Sequence, residues 1–160
     1  MGLLAAVLSL LGCDNQRIAA LREGVSTEAD VRRQFGEPAA IYAERDGART
    51  FEYPRQPEGW TNYFVTIGAD GRMTALRQVL AEPTFARIVP GMDKADLRRT
   101  LGRPATTQFY ALKQQEVWDW RYKDGPLSKV FSVTLDHAGK VVSAARIDDP
   151  RETLGGGPSR

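Results

Sequence analysis

Two segments of this chain resemble each other, and each has apolar residues at the spacing of an α-helix. In residues 27–38 and again in residues 93–104, two apolar side chains four residues apart share one face of a short predicted helix. The segments align at an offset of 66 residues, from Thr27 to Asp93, and share Ala, Asp, two Arg, Gly and Pro at matching positions. This repeat predicts two copies of one structural unit.

Both predicted helices carry start and stop signals. Thr27 and Asp93 are expected N-cap residues, and an Asp three residues later completes a capping box in each case. Gly36 and Gly102 fit the left-handed position that ends a helix, and a proline two residues further on prevents continuation. Helices of about two turns are unstable alone, so each must pack on another layer.

That layer is predicted to be an antiparallel sheet. Trp118, Trp120 and Tyr122 alternate with Val, Asp and Arg, and residues 63–67 and 131–135 alternate in the same way, as strands with one buried face do. Glycines at 47, 71 and 139 mark hairpin turns. The expected fold is α+β, with two tandem repeats of one or two short helices packed on a three- to four-stranded antiparallel meander. We expect the three aromatic side chains to lie in the core.

The strands extend the alignment of the two copies. Phe51-Glu52-Tyr53 parallels Trp120-Arg121-Tyr122, and Val65-Thr66-Ile67 parallels Val133-Thr134-Leu135. Since a unit of this size buries too little surface to be stable alone, the two copies are expected to pack together. One such arrangement is a single extended sheet.

Composition narrows the classes of function. The chain of 160 residues has 22 Lys and Arg, 20 Asp and Glu, one His and one Cys, with a formal net charge of +2. One His and one Cys cannot form a usual zinc site, and a single cysteine cannot form a disulfide within the chain. The balanced charge lacks the basic footprint of a nucleic-acid-binding protein. We therefore expect no metal, no cofactor and no nucleic-acid partner.

The N-terminal segment has the features of a secretory signal. Residues 1–12 are uncharged and nearly all apolar, and a polar run begins directly after Cys13. The segment is shorter than the span of about 20 residues that a membrane helix needs, but it fits the apolar part of a signal peptide. Leu10-Leu11-Gly12-Cys13 resembles a bacterial lipobox, which implies a lipid on Cys13 and removal of residues 1–12. An N-terminal core helix with a buried free cysteine is the alternative.

The doubled unit resembles the BamE (SmpA/OmlA) family of bacterial lipoproteins. The matching residues are Gly24, Thr27, Val31, Phe35, Gly36, Pro38 and Tyr53, and again Gly91, Asp93, Leu97, Leu101, Gly102, Pro104, Trp120 and Tyr122. The resemblance implies helices against a small antiparallel sheet and an accessory role in assembling β-barrel proteins into the outer membrane. The tandem arrangement is also similar to β-lactamase inhibitor protein, which binds an enzyme through its concave sheet.

The resemblance also bears on location and segment boundaries. It implies a protein of the cell envelope that faces the periplasm, anchored in the outer membrane by its lipid. Asp14-Asn15, however, resembles the signal that retains enterobacterial lipoproteins in the inner membrane. The expected segments are a signal peptide over 1–12, a lipidated linker over 13–16, repeats over 17–83 and 84–150, and a disordered tail over 151–160.

Candidate site residues point to binding rather than catalysis. His137 is expected in an exposed turn, and no Ser or Cys lies in a strained glycine-rich elbow, so we expect no enzyme. The open sheet face is the candidate partner surface: Trp60, Phe64, Thr66, Ser132 and Thr134. The repeated pairs Arg32-Arg33 and Arg98-Arg99 contact lipid headgroups or form solvated helix faces.

Three functions are compatible with this interpretation. The first is a lipid-anchored envelope protein that binds other proteins, including components of barrel assembly. The second is a module that inhibits or senses an exported enzyme through its open sheet face. A purely structural spacer is the third.

Overall fold

The computed structural model describes residues 14–153. The predicted signal peptide over 1–12, the lipid attachment at Cys13 and residues 154–160 of the predicted tail lie outside the described residues. The first half contains α1 (Asp14–Ala19), α2 (Glu28–Phe35), β1 (Ala40–Ala43), β2 (Arg49–Pro54), β3 (Asn62–Ile67) and β4 (Met73–Gln78). The second half contains α3 (Glu82–Phe85), α4 (Lys94–Leu101), β5 (Thr106–Tyr110), β6 (Gln115–Asp124), β7 (Leu127–Leu135), β8 (Val141–Asp148) and α5 (Pro150–Thr153).

The strands form two separate four-stranded antiparallel sheets, which confirms the α+β tandem fold. Sheet 1 has the order β1-β2-β3-β4 and sheet 2 has the order β5-β6-β7-β8, so each sheet is a simple meander. The expected extended sheet is wrong, because no ladder joins the two sheets within the described residues. We call the face of each sheet that packs on the helix of its own unit the inner face, and the opposite face the outer face.

Each sheet buries one core against its own helix. In the first unit, residues 14–78, Val31 and Phe35 of α2 pack on the inner face of sheet 1. In the second unit, residues 79–153, Leu97 and Leu101 of α4 pack on the inner face of sheet 2. Trp118, Trp120 and Tyr122 are all buried there, as the alternation predicted.

The cap signals are confirmed for α2 but only in part for α4. Thr27 and Asp30 form a reciprocal capping box, in which the Thr27 hydroxyl accepts from the Asp30 N–H at 3.3 Å. Asp93 precedes α4, but its side chain makes no capping bond. Its carboxylate lies 2.7 Å from the Lys140 ammonium, and this ion pair turns it away from the helix. The prediction of a capping box at Asp93 is therefore wrong.

The glycines that end the two helices adopt a more restricted conformation than predicted. Gly36 has φ 81° and ψ −160°, and Gly102 has φ 77° and ψ −167°. The positive φ was expected, but this ψ lies outside the left-handed helical region, in an area that only glycine populates readily. Side chains other than hydrogen are strained at both positions.

A shared hydrogen bond corrects the alignment of the two copies in the second strand of each sheet. The Tyr53 hydroxyl donates to the Gly36 carbonyl at 3.1 Å, and the Trp120 indole N–H donates to the Gly102 carbonyl at 3.0 Å. Tyr53 is therefore equivalent to Trp120, not to Tyr122. Strand pairing agrees, because Glu52 lies opposite Phe64 in sheet 1 as Asp119 lies opposite Ser132 in sheet 2.

The ends of the units also differ from the predicted boundaries. Residues 14–16, expected in a linker, lie in α1, and residues 151–153, expected in a disordered tail, lie in α5. Val79 and Leu80 pack in the core of the second unit, so this unit begins a few residues before the predicted boundary at 84. Of the helices between residues 14 and 153, none has the length and apolar character needed to cross a membrane.

Candidate functional site

The second unit covers part of the outer face of sheet 1. Tyr42 of β1 and Phe64 of β3 point away from their own core, and both pack against the core of the second unit. Their rings meet edge to face at a centroid distance of 6.3 Å. Because α4 also packs on sheet 2, this helix lies between the two sheets.

A fully buried carboxylate joins the units at this contact. Glu52 has no exposed surface and accepts hydrogen bonds from the Tyr42 hydroxyl and the Arg103 backbone N–H, both at 2.8 Å. The Arg98 guanidinium forms an ion pair with the same carboxylate. The pKa of Tyr42 is raised to about 12, mainly by burial and to a smaller extent by the hydrogen bond to Glu52. One acid of the first unit thus binds two residues of the second.

Asn62 holds the C-terminal end of α4 from the same side. Its amide nitrogen donates to the Leu101 carbonyl at 2.8 Å and to the Arg103 carbonyl at 2.9 Å. The last carbonyls of a helix lack partners within the helix, so Asn62 supplies bonds that the helix cannot make. A Cβ at Gly102 would lie 3.0 Å from this nitrogen, so glycine also allows the close approach.

A second contact between the units lies on β6. The buried Gln56 side chain donates to the Arg121 carbonyl at 2.8 Å and accepts from the Arg121 N–H at 3.2 Å. The Arg121 guanidinium in turn donates to Asp149 at 2.6 Å. Burial raises the pKa of Asp149, but the Arg151 backbone N–H and the Arg121 guanidinium outweigh it, so the pKa is lowered overall.

A groove remains where α4 leaves sheet 1 uncovered. We call it the interunit groove; its volume is about 760 Å³. Its floor is the outer face of β2 and β3, and its walls are the connection between the units and the helix α4. The lining residues are Glu44, Thr50, Phe64, Thr66, Arg77, Gln78, Val79, Pro83, Thr84, Arg87, Arg99 and Thr100.

The charge of the interunit groove is predominantly positive. Arg77, Arg87 and Arg99 line it, and Glu44 is the one acid among the lining residues. Glu44 accepts from the Thr50 hydroxyl at 2.9 Å and lies 3.6 Å from Arg99. The side chains of Arg77 and Arg87 form no hydrogen bond or ion pair with any residue between 14 and 153. Two guanidinium groups are therefore available for an anionic ligand.

The predicted partner surface is divided among three places. Phe64 and Thr66 line the interunit groove, but Phe64 is only 9% exposed, so the prediction of an open face is wrong there. Ser132 and Thr134 are half-buried on the outer face of sheet 2, and Trp60 lies in the loop after β2. The prediction of one continuous surface fails because the second unit covers the centre of the first sheet.

Trp60 lies beside the start of the described chain. The Lys123 ammonium lies 4.4 Å from the Trp60 ring centroid, and the Trp60 indole nitrogen is buried without a hydrogen-bond partner in the described part of the chain. A shallow cleft of about 510 Å³ connects this ring with Asp14 and Arg55. The Arg55 guanidinium donates to both Asp14 oxygens, at 3.0 Å each. The residue that follows Cys13 is thus fixed to the first unit.

Asp119 occupies in sheet 2 the position that Glu52 occupies in sheet 1. One of its oxygens accepts from the Thr106 hydroxyl at 3.3 Å. The other is buried and has no hydrogen-bond partner among residues 14–153. The outer face of sheet 2 therefore has an unsatisfied acceptor at the point where sheet 1 binds an arginine.

Sequence reasoning missed the polar residues that join the two units beside the groove. Glu52 and Asn62 gave no signal because each is a single polar residue on a predicted outer face. The repeated arginine pairs did give a signal, but the structure pairs Arg98 with buried Glu52 and Arg32 with Glu28 and Glu37, so neither is a free headgroup ligand.

The remaining candidates for catalysis or metal binding lie apart from one another. His137 lies exposed in the turn after β7, as predicted. Within residues 14–153, no group of three or more His, Cys, Asp or Glu side chains could hold a metal ion.

Comparisons with known proteins give distant structural similarities. A scan against models of protein families gives no match, and neither does a search of curated proteins. The chain is similar to a solved structure described as an osmotically inducible lipoprotein, OsmE, with 22% identity and a TM-score of 0.38, over 46% of this chain and 84% of the other. It is also similar to a DUF4309 family protein, YjgB, from Bacillus subtilis, with 14% identity and a TM-score of 0.32, over 84% of this chain and 92% of the other.

Proposed function

We propose that this chain is a lipid-anchored protein of the bacterial cell envelope that faces the periplasm and binds other proteins. Its role is that of an accessory factor in outer-membrane β-barrel assembly or in envelope integrity. The interunit groove carries the proposal, because a cleft of about 760 Å³ with two unpaired guanidinium groups offers a partner directed polar contacts that a flat surface lacks.

Residues near the start of the chain support the anchor. Leu10-Leu11-Gly12-Cys13 resembles a lipobox, and Asp14 is bound to Arg55. A lipid on Cys13 would be attached one residue before Asp14, the first residue of α1. Such an anchor suits a protein that works at the membrane surface. The family resemblance favours the outer membrane, and Asp14-Asn15 makes the inner membrane the alternative.

We propose that this chain binds a protein partner without catalysing a reaction and without a cofactor. The groove is lined by arginines, whose guanidinium groups donate hydrogen bonds and accept none. Its one carboxylate, Glu44, is held by Thr50 and Arg99. These groups can orient and hold an anionic partner.

The test combines membrane fractionation with crosslinking in living cells. The tagged full chain should appear in the outer-membrane fraction, and crosslinked envelopes should yield a component of barrel assembly. Cys13→Ser is the matched control and should release the protein from the membrane. Failure of the wild type to capture any envelope protein would refute the binding role, and residence in the inner membrane would refute the assembly role.

A second candidate function is inhibition or sensing of an exported enzyme. It is favoured by the outer face of sheet 2, where the half-buried Ser132 and Thr134 offer hydroxyl groups next to Asp119. Such hydroxyl groups can donate to or accept from a partner. In that case Ser132→Arg should abolish the complex without unfolding the protein, whereas changes at Arg77 and Arg87 should leave the complex intact.

A further inference from the structure

We propose that the interunit groove binds an acidic peptide segment of the partner protein, whose carboxylates pair with Arg77 and Arg87. This inference rests on the proposed function and specifies the chemistry of its partner. It goes beyond that function because it assigns the contact to particular side chains and to one class of ligand.

The positive charge of the groove favours an anionic ligand. Arg99 already has Glu44 as a partner at 3.6 Å, and its guanidinium carbon lies 5.2 Å from the Tyr42 ring centroid. Arg77 and Arg87 have no such partner between residues 14 and 153, although both line the same groove. A planar guanidinium group matches a carboxylate in a two-bond geometry, so a ligand with carboxylates complements these positions.

The surface between the arginines is the second observation. Thr50 and Thr66 lie on the floor and Thr84 lies on the wall, so hydroxyl-bearing residues line the cavity along with Phe64. The Thr50 hydroxyl donates to Glu44, so its oxygen can only accept from a ligand. The Thr84 hydroxyl can donate to or accept from the backbone of an extended peptide. An acyl chain would gain little here, because its methylene groups would meet these hydroxyls instead of an apolar slot.

The two segments outside the described part do not supply carboxylate side chains. Residues 1–13 and 154–160 contain no Asp or Glu. We therefore assign the acidic segment to the partner protein. Recognition of acidic motifs by clustered arginines is a recurring mode of peptide binding.

The experiment measures binding of a fluorescent peptide to the purified full chain by anisotropy. The probe is a short labelled peptide of alternating Glu and Ser, and its control is the same peptide with Gln in place of Glu. The test variant is Arg77→Gln/Arg87→Gln. The matched protein control is Arg22→Gln/Arg103→Gln, which removes the same charge from two exposed positions outside the groove.

We expect the Glu peptide to bind the wild type and the control variant alike, and to bind the test variant about tenfold more weakly. Binding should weaken as salt is raised, because exposed ion pairs are screened. Equal binding of the Gln peptide, or equal binding by the test variant, would overturn the inference. Competition by inorganic phosphate at the level of the peptide would also overturn it, as would tighter binding to vesicles that contain phosphatidylglycerol.

Crosslinking separates this inference from the proposed function. If the wild type and the Arg77→Gln/Arg87→Gln variant capture the same envelope protein equally, the protein-binding function stands and the groove inference fails. If the peptide binds as expected but the wild type captures no envelope protein, the groove chemistry stands and the proposed function fails.

Discussion

Arg98 tests how strongly the two units depend on each other. Changing it to Met leaves the Glu52 carboxylate, which has no exposed surface, with only the Tyr42 hydroxyl and the Arg103 N–H as partners. Breaking a buried ion pair from one side costs about 3–5 kcal/mol, because a charge stays buried without its counterion. The Arg98 side chain is 28% exposed, so some water can reach the site. We therefore expect a loss of about 3 kcal/mol in the free energy of unfolding.

The repeat provides a matched control at the same helix position. Arg32 is the equivalent of Arg98 in α2, and its partners Glu28 and Glu37 have side chains that are 25% and 80% exposed. An exposed ion pair contributes about 0–1 kcal/mol. Arg32→Met should therefore cost no more than about 1 kcal/mol, although the two substitutions are chemically identical.

Urea unfolding of the full chain, followed by tryptophan fluorescence, measures both losses. Arg98→Met should lower the midpoint far more than Arg32→Met. Glu52→Gln/Arg98→Met should recover most of the loss, because a neutral amide oxygen still accepts from Arg103 and no charge remains buried. Equal effects of the two single substitutions, or no recovery in the double variant, would show that the Glu52 carboxylate does not depend on Arg98.

Three further measurements examine the caps and the second contact between the units. Gly102→Ala should destabilise the protein more than Gly36→Ala. Both substitutions introduce about 1–3 kcal/mol of backbone strain, but only the new Cβ at position 102 lies 3.0 Å from a buried amide nitrogen. Equal urea midpoints of the two variants would contradict this expectation. Because folding lowers the pKa of Asp149, its stabilisation is present above the unfolded value of about 3.9 and is lost as pH falls through the folded pKa. Asp149→Asn should therefore be less stable than the wild type at pH 7 but lose less below about pH 4, and parallel pH profiles would refute that assignment. Tyr53→Phe should cost about 1 kcal/mol by thermal unfolding for the lost bond to Gly36, and an unchanged Tm would show that this bond contributes nothing.

The sequence predicted those parts of the fold that depend on local signals. Val31 and Phe35 identified the buried side of α2, and the alternation around Trp120 identified the inner face of sheet 2. These patterns reflect one helix or one strand at a time, so they needed no knowledge of neighbouring elements. The number of repeats and the α+β class followed from the same local patterns.

The alignment of the second strands failed for a geometric reason. Strand β6 carries aromatic residues at 118, 120 and 122, so a shift of two residues maps one aromatic onto the next and keeps every side chain on the same face. Sequence similarity could not separate these registers. The hydrogen bonds from Tyr53 and Trp120 to the glycine carbonyls decide between them.

The candidate site could not be predicted because it depends on contacts between distant residues. Glu52 and Arg98 are 46 residues apart, and nothing near either residue indicates the other. Alternation placed Phe64 correctly on the outer face of sheet 1, but it could not show that the second unit covers this face. For the same reason nothing in the sequence around Arg77 and Arg87 indicates that the two side chains line one groove.

The two outer faces show why the interunit groove belongs to the tandem chain and not to a single unit. In sheet 1 the outer face presents Glu52 and Phe64, which bind the helix of the second unit. In sheet 2 the equivalent positions are Asp119 and Ser132, so this outer face lacks the aromatic ring that contacts the second unit in sheet 1. Because α4 of the second unit forms a wall of the groove over sheet 1, a single unit cannot form it, and any ligand that we propose for the groove depends on the pairing of the two units.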